Sequence, residues 1–172
     1  MTQDVPVASD AGLAGKAAIV TGGGAAGEGI GNGRAAAILL ARAGTHVLVV
    51  DRDLKLAERT VALIHAEGGT AAACQTDVID EAQCRSMVAT ALERFGRLDF
   101  LDNNVGIASS GSVVEEDAAT WRHLMQVNVD SMFLTSKFAI PAMLETAGGG
   151  AIVNIASIAA LRPRGMTAYS TS

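Results

Sequence analysis

The sequence predicts an α/β domain: an open, doubly wound parallel sheet of about five strands with helices on both faces. Three observations carry this reading. Five short apolar runs alternate with helix-length segments along the 172 residues, and β-α alternation joined by right-handed crossovers lays helices on a parallel sheet. The runs are continuously apolar rather than alternating, as expected when both faces of a strand are covered. No internal repeat or low-complexity linker breaks the pattern, so residues 15–172 are expected to form one domain behind a flexible leader over 1–14.

Residues 17–21 (AAIVT) stop at glycines and read as the first strand, and 45–51 (THVLVVD) as the second. Residues 70–77 (TAAACQTD), 97–104 (RLDFLDNN) and 150–157 (GAIVNIAS) complete the five. Between the first two, 34–44 (RAAAILLARAG) sets Ala37, Leu40 and Ala41 on one helical face and closes on Gly44. Residues 53–69 repeat the pattern with Leu56, Val61 and Ile64, ending on Gly68 and Gly69. Residues 80–96 open on Asp80 and stop at Gly96. The longest helical segment is 117–145, where Pro141 is expected to kink or end the regular part.

Composition narrows the function classes. Hydrophobic residues make up 49% of the chain and charged residues 18%, the balance of a folded soluble protein rather than a disordered one. A net charge of −5 with scattered basic residues gives no patch for nucleic acid or an anionic membrane. No apolar stretch approaches the roughly 18 residues of a membrane span, and the start lacks the basic and apolar regions of a signal peptide. A cytoplasmic protein is expected, with Cys74 and Cys84 as buried thiols in a reducing compartment. His46, His65 and His123 are dispersed and neither cysteine has CxxC spacing, so no metal site is expected.

Open α/β sheets bind ligands beyond the carboxyl ends of their strands. After the first strand comes TGGGAAGEGIGNGR (21–34), with seven glycines in fourteen residues. Such a loop lets backbone approach a pyrophosphate while the next helix offers its N-terminal N–H groups. Residues 22–27 satisfy GxGxxG, a weak match alone that gains weight from its place between strand and helix. After the second strand, Asp51 can accept both ribose hydroxyls of an adenosine and would repel a 2′-phosphate, favouring NAD over NADP. Arg52 beside it leaves NADP open. Asp77-Val78 follows the third strand, where a carboxylate either meets the adenine amino group or caps a helix. Asn103-Asn104-Val105-Gly106 follows the fourth, where a simple turn is the competing reading.

Together these motifs resemble the short-chain dehydrogenases/reductases, built on the Rossmann fold. The glycine loop from Gly22 resembles the family's TGxxxGxG, DNNVG its NNAG, and QVNV around Asn128 its helix asparagine. IVNIAS is similar to the strand that delivers the catalytic serine, here Ser157, and YSTS to the opening of YxxxK, here Tyr169. The resemblance covers about residues 15–172. It implies cofactor contacts from Gly22, the glycine pair, Asp51, Arg52, Asp77, Val78, Asn104 and Gly106. The pair is either Gly31-Asn32-Gly33, which leaves eight residues after Gly22, or Gly29-Ile30-Gly31. Two substitutions depart from the pattern: Asp102 in place of an apolar residue, and Val105 in place of alanine. A carboxylate at that depth must find donors or stay protonated.

The resemblance further implies an NAD(P)-dependent oxidoreductase acting on a secondary alcohol or ketone. Tyr169 would exchange a proton with the substrate oxygen, and Ser157 would polarise it. The family's motif lysine stabilises the phenolate and holds the nicotinamide ribose, and Asn128 supports a water that links that lysine to solvent. That lysine would be residue 173, and the family's C-terminal strands and substrate lid would follow. The chain as given is a fragment, a truncated product or a chain cut before that lysine, so its own activity is an open expectation. Residues 166–172 alone would make one weak helical turn, leaving Tyr169 poorly placed. A non-catalytic dinucleotide-binding module is the alternative. A methyltransferase also pairs a glycine loop with an acid after the second strand, but leaves Asn128, Ser157 and Tyr169 unexplained. Family resemblance also implies a homo-oligomer, with Met125, Met132, Phe133 and Phe138 on either its interface or the core.

Overall fold

The computed structural model describes residues 12–26, 29–163 and 165–172. Five parallel strands, β1 (Ala17–Thr21), β2 (His46–Asp51), β3 (Ala71–Gln75), β4 (Phe100–Asn103) and β5 (Ala151–Asn154), form one sheet in the order β3-β2-β1-β4-β5. Each expected strand is present; β1 matches its apolar run and the other four are shorter than theirs. The leader expected over 1–14 lies outside the described residues up to Asp10 and Ala11; Leu13 is held by its carbonyl, which accepts the Thr45 hydroxyl at 3.1 Å.

Side chains alternate across each strand, so one strand feeds two cores. Val20, Val47 and Val49 pack with Ala37, Ile38 and Ala41 of α1 (Asn32–Arg42) and Ala57 and Ile64 of α2 (Leu54–Ala66). Ile19, Leu48 and Val50 point the other way, onto Met87, Val88 and Ala91 of α3 (Glu81–Phe95) and Ala139, Ala142 and Met143 of α5 (Ser131–Ala147). Fully burying one such side chain contributes about 1.5–3 kcal/mol, so the two clusters supply most of what holds the layers together. At the bottom of the sheet, buried Asp99 accepts the Ala17 N–H at 2.9 Å and pairs with Arg97 at 2.6 Å and Lys16 at 3.3 Å.

The helical segment expected over 117–145 is divided. Asp117 caps α4 (Ala118–Met125) by accepting the Ala119 and Thr120 N–H groups, and a π-helical turn, Gln126–Asp130, then leads into α5. Pro141 does not end α5, which runs on to Ala147. The proline is exposed, and the lost hydrogen bond is offset by burial of Ala139, Ala142 and Met143 around it. A 3₁₀ turn (Ile158–Ala160) and α6 (Thr167–Thr171) follow β5.

The chain winds outward from β1 through β2 to β3, then returns to place β4 on the other side of β1. Connections therefore diverge above β1 and β4, opening a crevice at their carboxyl ends.

Candidate active site

Thr21 ends β1, and its hydroxyl both donates to Asp102 O and accepts the Asn104 N–H, each at 3.1 Å. The Asn104 carboxamide donates to Thr21 O and Gly22 O at 3.2 Å. Gly22 has φ 62°, a left-handed turn suited to glycine. α1 starts at Asn32, two residues before the expected start, with Gly31 at its N-cap. A Cβ on Gly33 would lie 2.3 Å from Gly22 O, so helix and strand end touch backbone to backbone. The helix start therefore falls at Gly31-Asn32-Gly33 and not at Gly29-Ile30-Gly31. Ile30 is 63% exposed and borders neither cavity. Gly27, the last glycine of the GxGxxG match, lies outside the described residues.

Beyond the strand ends lies a cleft of two lobes. The first, about 410 Å³, runs from Gly22 and Asp51 to Asp77 and Val78. Asp51 Oδ2 accepts the Gly24 N–H at 3.1 Å and Oδ1 the Asp53 N–H at 3.0 Å. Each oxygen keeps a lone pair for a further donor. Arg52 is exposed at the lobe's edge, where its carbonyl accepts the Gln75 side chain at 3.0 Å. Asp77 closes a turn by accepting the Ile79 N–H at 3.3 Å, yet also faces the lobe, while Val78 is buried beneath it.

The second lobe, about 440 Å³, is bounded by Asn128, Ser157 and Tyr169. Asn104, Val105, Gly106 and Ile107 border both lobes and form the ridge between them. Asn128 sits inside the π-helical turn, a local widening that often marks functional positions. Its Oδ1 accepts the Ile107 N–H at 2.9 Å, and its Nδ2 donates to Ile107 O at 2.9 Å and Ser172 Oγ at 2.8 Å. Ser157 caps the 3₁₀ turn, accepting the Ala159 N–H at 3.2 Å. Tyr169 is better placed than an isolated turn would allow. Ala168 is buried, the Thr167 N–H donates to Gly111 O at 2.9 Å, and Ser172 bridges Asn128 to Tyr169 O, so tertiary contacts supply what nucleation alone lacks.

Arg34 and Thr60 were not singled out from the sequence, and Asn103 was read only as part of a strand-end motif or turn. Asn103 is buried, donating to Asn154 Oδ1 at 2.9 Å and accepting the Thr135 hydroxyl at 2.7 Å, which ties β4 to β5 and α5. Arg34 and Thr60 are buried under the glycine loop. Each stands on its helix's apolar stripe, 34-37-38-41 and 57-60-64, and a polar residue on such a stripe is the available signal. Asp102 Oδ1 is buried without a partner, and burial raises its pKa. Burial likewise pushes the Cys84 thiol, with Asp80, Asp77 and Glu81 nearby, up to about 11. No group of three His, Cys, Asp or Glu gathers to hold a metal ion among the described residues, and no described helix is long and apolar enough to cross a membrane.

The first lobe suits the adenosine end of a dinucleotide. Bare glycine backbone at Gly22 and Gly33 lets the end of β1, the start of α1 and Asn104 pack directly together, and the ridge leads into a lobe bearing a hydroxyl and a phenol.

A family model described as short chain dehydrogenase matches residues 16–172. The chain is 38% identical over 151 residues to a 2,5-dichloro-2,5-cyclohexadiene-1,4-diol dehydrogenase of Sphingobium indicum, covering 88% of this chain and 58% of that protein. It is 43% identical over 142 residues to a 2-(S)-hydroxypropyl-CoM dehydrogenase of Xanthobacter autotrophicus, covering 83% and 53%. A cyclohexanol dehydrogenase of an Acinetobacter strain is 40% identical over 147 residues, covering 85% and 56%. The chain thus spans little more than half the length of these curated relatives. The crystal structure of a short-chain dehydrogenase/reductase from Burkholderia xenovorans matches with a TM-score of 0.88 at 43% identity, covering 92% of this chain and 64% of that one.

Proposed function

Since the chain belongs to the short-chain dehydrogenase family, we propose that it forms the cofactor half, and part of the catalytic half, of an NAD-dependent oxidoreductase acting on a secondary alcohol or ketone. The observation that carries this is the two-lobed cleft, with Asp51 in one lobe, Ser157 and Tyr169 in the other, and a shared ridge between. Gly22, Gly31, Asn32 and Gly33 would receive the pyrophosphate. Asp51 would accept the adenosine ribose hydroxyls, which favours NAD over NADP even with Arg52 alongside. Asp77 and Val78 would border the adenine, and Asn104 and Gly106 the nicotinamide end. When bound, the nicotinamide supplies or receives a hydride.

The protein's own part is proton transfer and orientation. Tyr169 would hold the proton exchanged at the substrate oxygen, and Ser157 would donate a hydrogen bond to the same oxygen. Asn128 acts on the ridge through Ile107 and on α6 through Ser172. The second lobe is lined by Met132, Ile155 and Ile158 and carries no charged side chain among the described residues. That suits an uncharged, apolar alcohol of about one ring, consistent with the cyclohexanol and cyclic diol named for two relatives. A homo-oligomer is part of the proposal, through the α5 face where Phe133, Ile140 and Leu144 are exposed.

Calorimetric titration of the chain with NADH, NADPH and S-adenosylmethionine tests the reading. NADH should bind most tightly. Tighter binding of NADPH would overturn the NAD assignment, and binding of S-adenosylmethionine alone would overturn the class. Turnover of cyclohexanol with NAD separates an enzyme from a binding module.

A further inference from the structure

Arg34 stands in the first turn of α1 and is 5% exposed. Its Nη2 donates to Ala25 O at 3.1 Å and its Nη1 to Gly29 O at 2.7 Å, so one rigid, planar guanidinium clamps both limbs of the glycine loop. Its Nε donates to Thr60 Oγ1 at 3.1 Å. Thr60, itself buried in α2, donates its single hydroxyl proton to Gly23 O at 2.8 Å. Three loop carbonyls, at 23, 25 and 29, are thereby turned inward onto two linked side chains.

A trans peptide is planar, with its N–H opposed to its C=O. Turning those carbonyls inward turns the N–H groups of Gly24, Ala26 and Ile30 away from Arg34. Gly24 shows the result, donating to Asp51 Oδ2. Ala26 borders the first lobe. The carbonyl dipoles, whose negative ends would repel an anion, are occupied beneath the loop, and donors face outward.

We propose that Arg34, with Thr60 beside it, is the positioning residue that holds the peptide between Ala25 and Ala26 so that the Ala26 N–H is presented to the dinucleotide pyrophosphate, while the Gly24 N–H is kept on Asp51. This rests on the dinucleotide reading above and adds to it. The arginine ties Ala25 to Gly29. No contact between Arg34 and the ligand is required.

The test compares NADH, which carries the pyrophosphate, with adenosine, which lacks it, by NMR titration of the full chain and its Arg34→Lys and Thr60→Val variants. Lysine keeps the charge but lacks the planar fork that reaches Ala25 O, Gly29 O and Thr60 Oγ1 from three separate nitrogens, and valine keeps the shape of threonine. NADH affinity should fall about tenfold in Arg34→Lys and about threefold in Thr60→Val, while adenosine affinity stays within about twofold. Amide hydrogen exchange over residues 22–31 should quicken in both variants. An equal loss for NADH and adenosine would mean general loosening and overturn the proposal, as would unchanged NADH affinity despite faster loop exchange. If Arg34→Lys does not fold, Thr60→Val decides by the same criteria. If the unsubstituted chain binds no NADH, the dinucleotide reading falls and takes this role with it; slow exchange of the loop would then show a purely structural clamp.

Discussion

The Asn128 carboxamide straddles Ile107, accepting from its N–H and donating to its carbonyl, each at 2.9 Å. One side chain therefore satisfies both backbone groups of a residue on the ridge between the two lobes. Asn128→Ala would leave two partly buried backbone groups without partners, at a cost of about 1–3 kcal/mol each if water does not replace the side chain. The expected outcome is a lower unfolding midpoint in denaturant and NADH binding weakened by about tenfold. Asn128→Asp should preserve only the accepting half and fall between the two.

At Gly33 the constraint is steric. Gly33→Ala would bring its methyl within 2.3 Å of Gly22 O and 2.4 Å of Asn104 Nδ2, so the first turn of α1 must move off the strand end. Overpacking of this kind costs about 1–3 kcal/mol. Calorimetry should find NADH binding abolished while circular dichroism still reports the helices.

Replacing Asp51 with serine separates cofactor choice from stability. The variant loses the acceptors for the Gly24 and Asp53 N–H groups and the charge that opposes a 2′-phosphate. NADH affinity should drop by about tenfold and the NADH/NADPH ratio should move toward unity. A ratio unchanged from the parent chain would remove Asp51 from the cofactor site.

Two aspartates on neighbouring positions of the sheet should respond to pH in opposite senses. Burial alone would raise the Asp99 pKa, but hydrogen bonds from Arg97, the Ala17 N–H and Lys16 outweigh it and hold the carboxyl below its ordinary range. Its contribution is complete above the ordinary carboxylate pKa and is lost as pH falls through the lower, folded value. Asp102 is raised by burial, so the stability of its protonated form is complete below the ordinary range and lost as pH rises through the folded value. Asp99→Asn should destabilise at neutral pH by about 2 kcal/mol, the exposed ends of its partners limiting the loss, and differ least in strong acid. Asp102→Val should stabilise at neutral pH by about 1 kcal/mol, with the gain shrinking as pH falls toward 5. Urea unfolding at pH 7, at pH 5 and in strong acid measures both.

The sheet was legible because its strands are apolar on both faces and its helices end on glycine, both local signals. All five strands lie where the apolar runs stand, and Asp51, Asp77, Ser157 and Tyr169 follow strand ends or open a helix where the motifs suggest. What escaped depended on partners distant in sequence. The start of α1 at Asn32 comes with Gly33 meeting Gly22 and Asn104, a contact that no spacing rule reveals. The division of the 117–145 helix falls at Asn128, which is bonded to distant Ile107, and α5 survives past Pro141 through burial against α3 and the sheet. Nothing local marks Arg34, since only the packed α2 brings Thr60 against it.

The π-helical turn at Gln126–Asp130 also fixes an angular phase. Five residues in this wider turn sweep about the same angle as four in a regular helix, so the turn absorbs one extra residue without rotating α5, whereas an insertion or deletion between Ser131 and Phe133 of α5 itself would rotate the rest of that helix by about 100°. Thr135 would swing away from Asn103, and exposed Phe133 would change its heading relative to the sheet. The stretch between Ser131 and Thr135 is therefore intolerant of insertion or deletion, whereas the irregular segment over 107–116 can absorb a change of length. A survey of length variants across these two stretches, scored for folded yield, should find indels confined to the second.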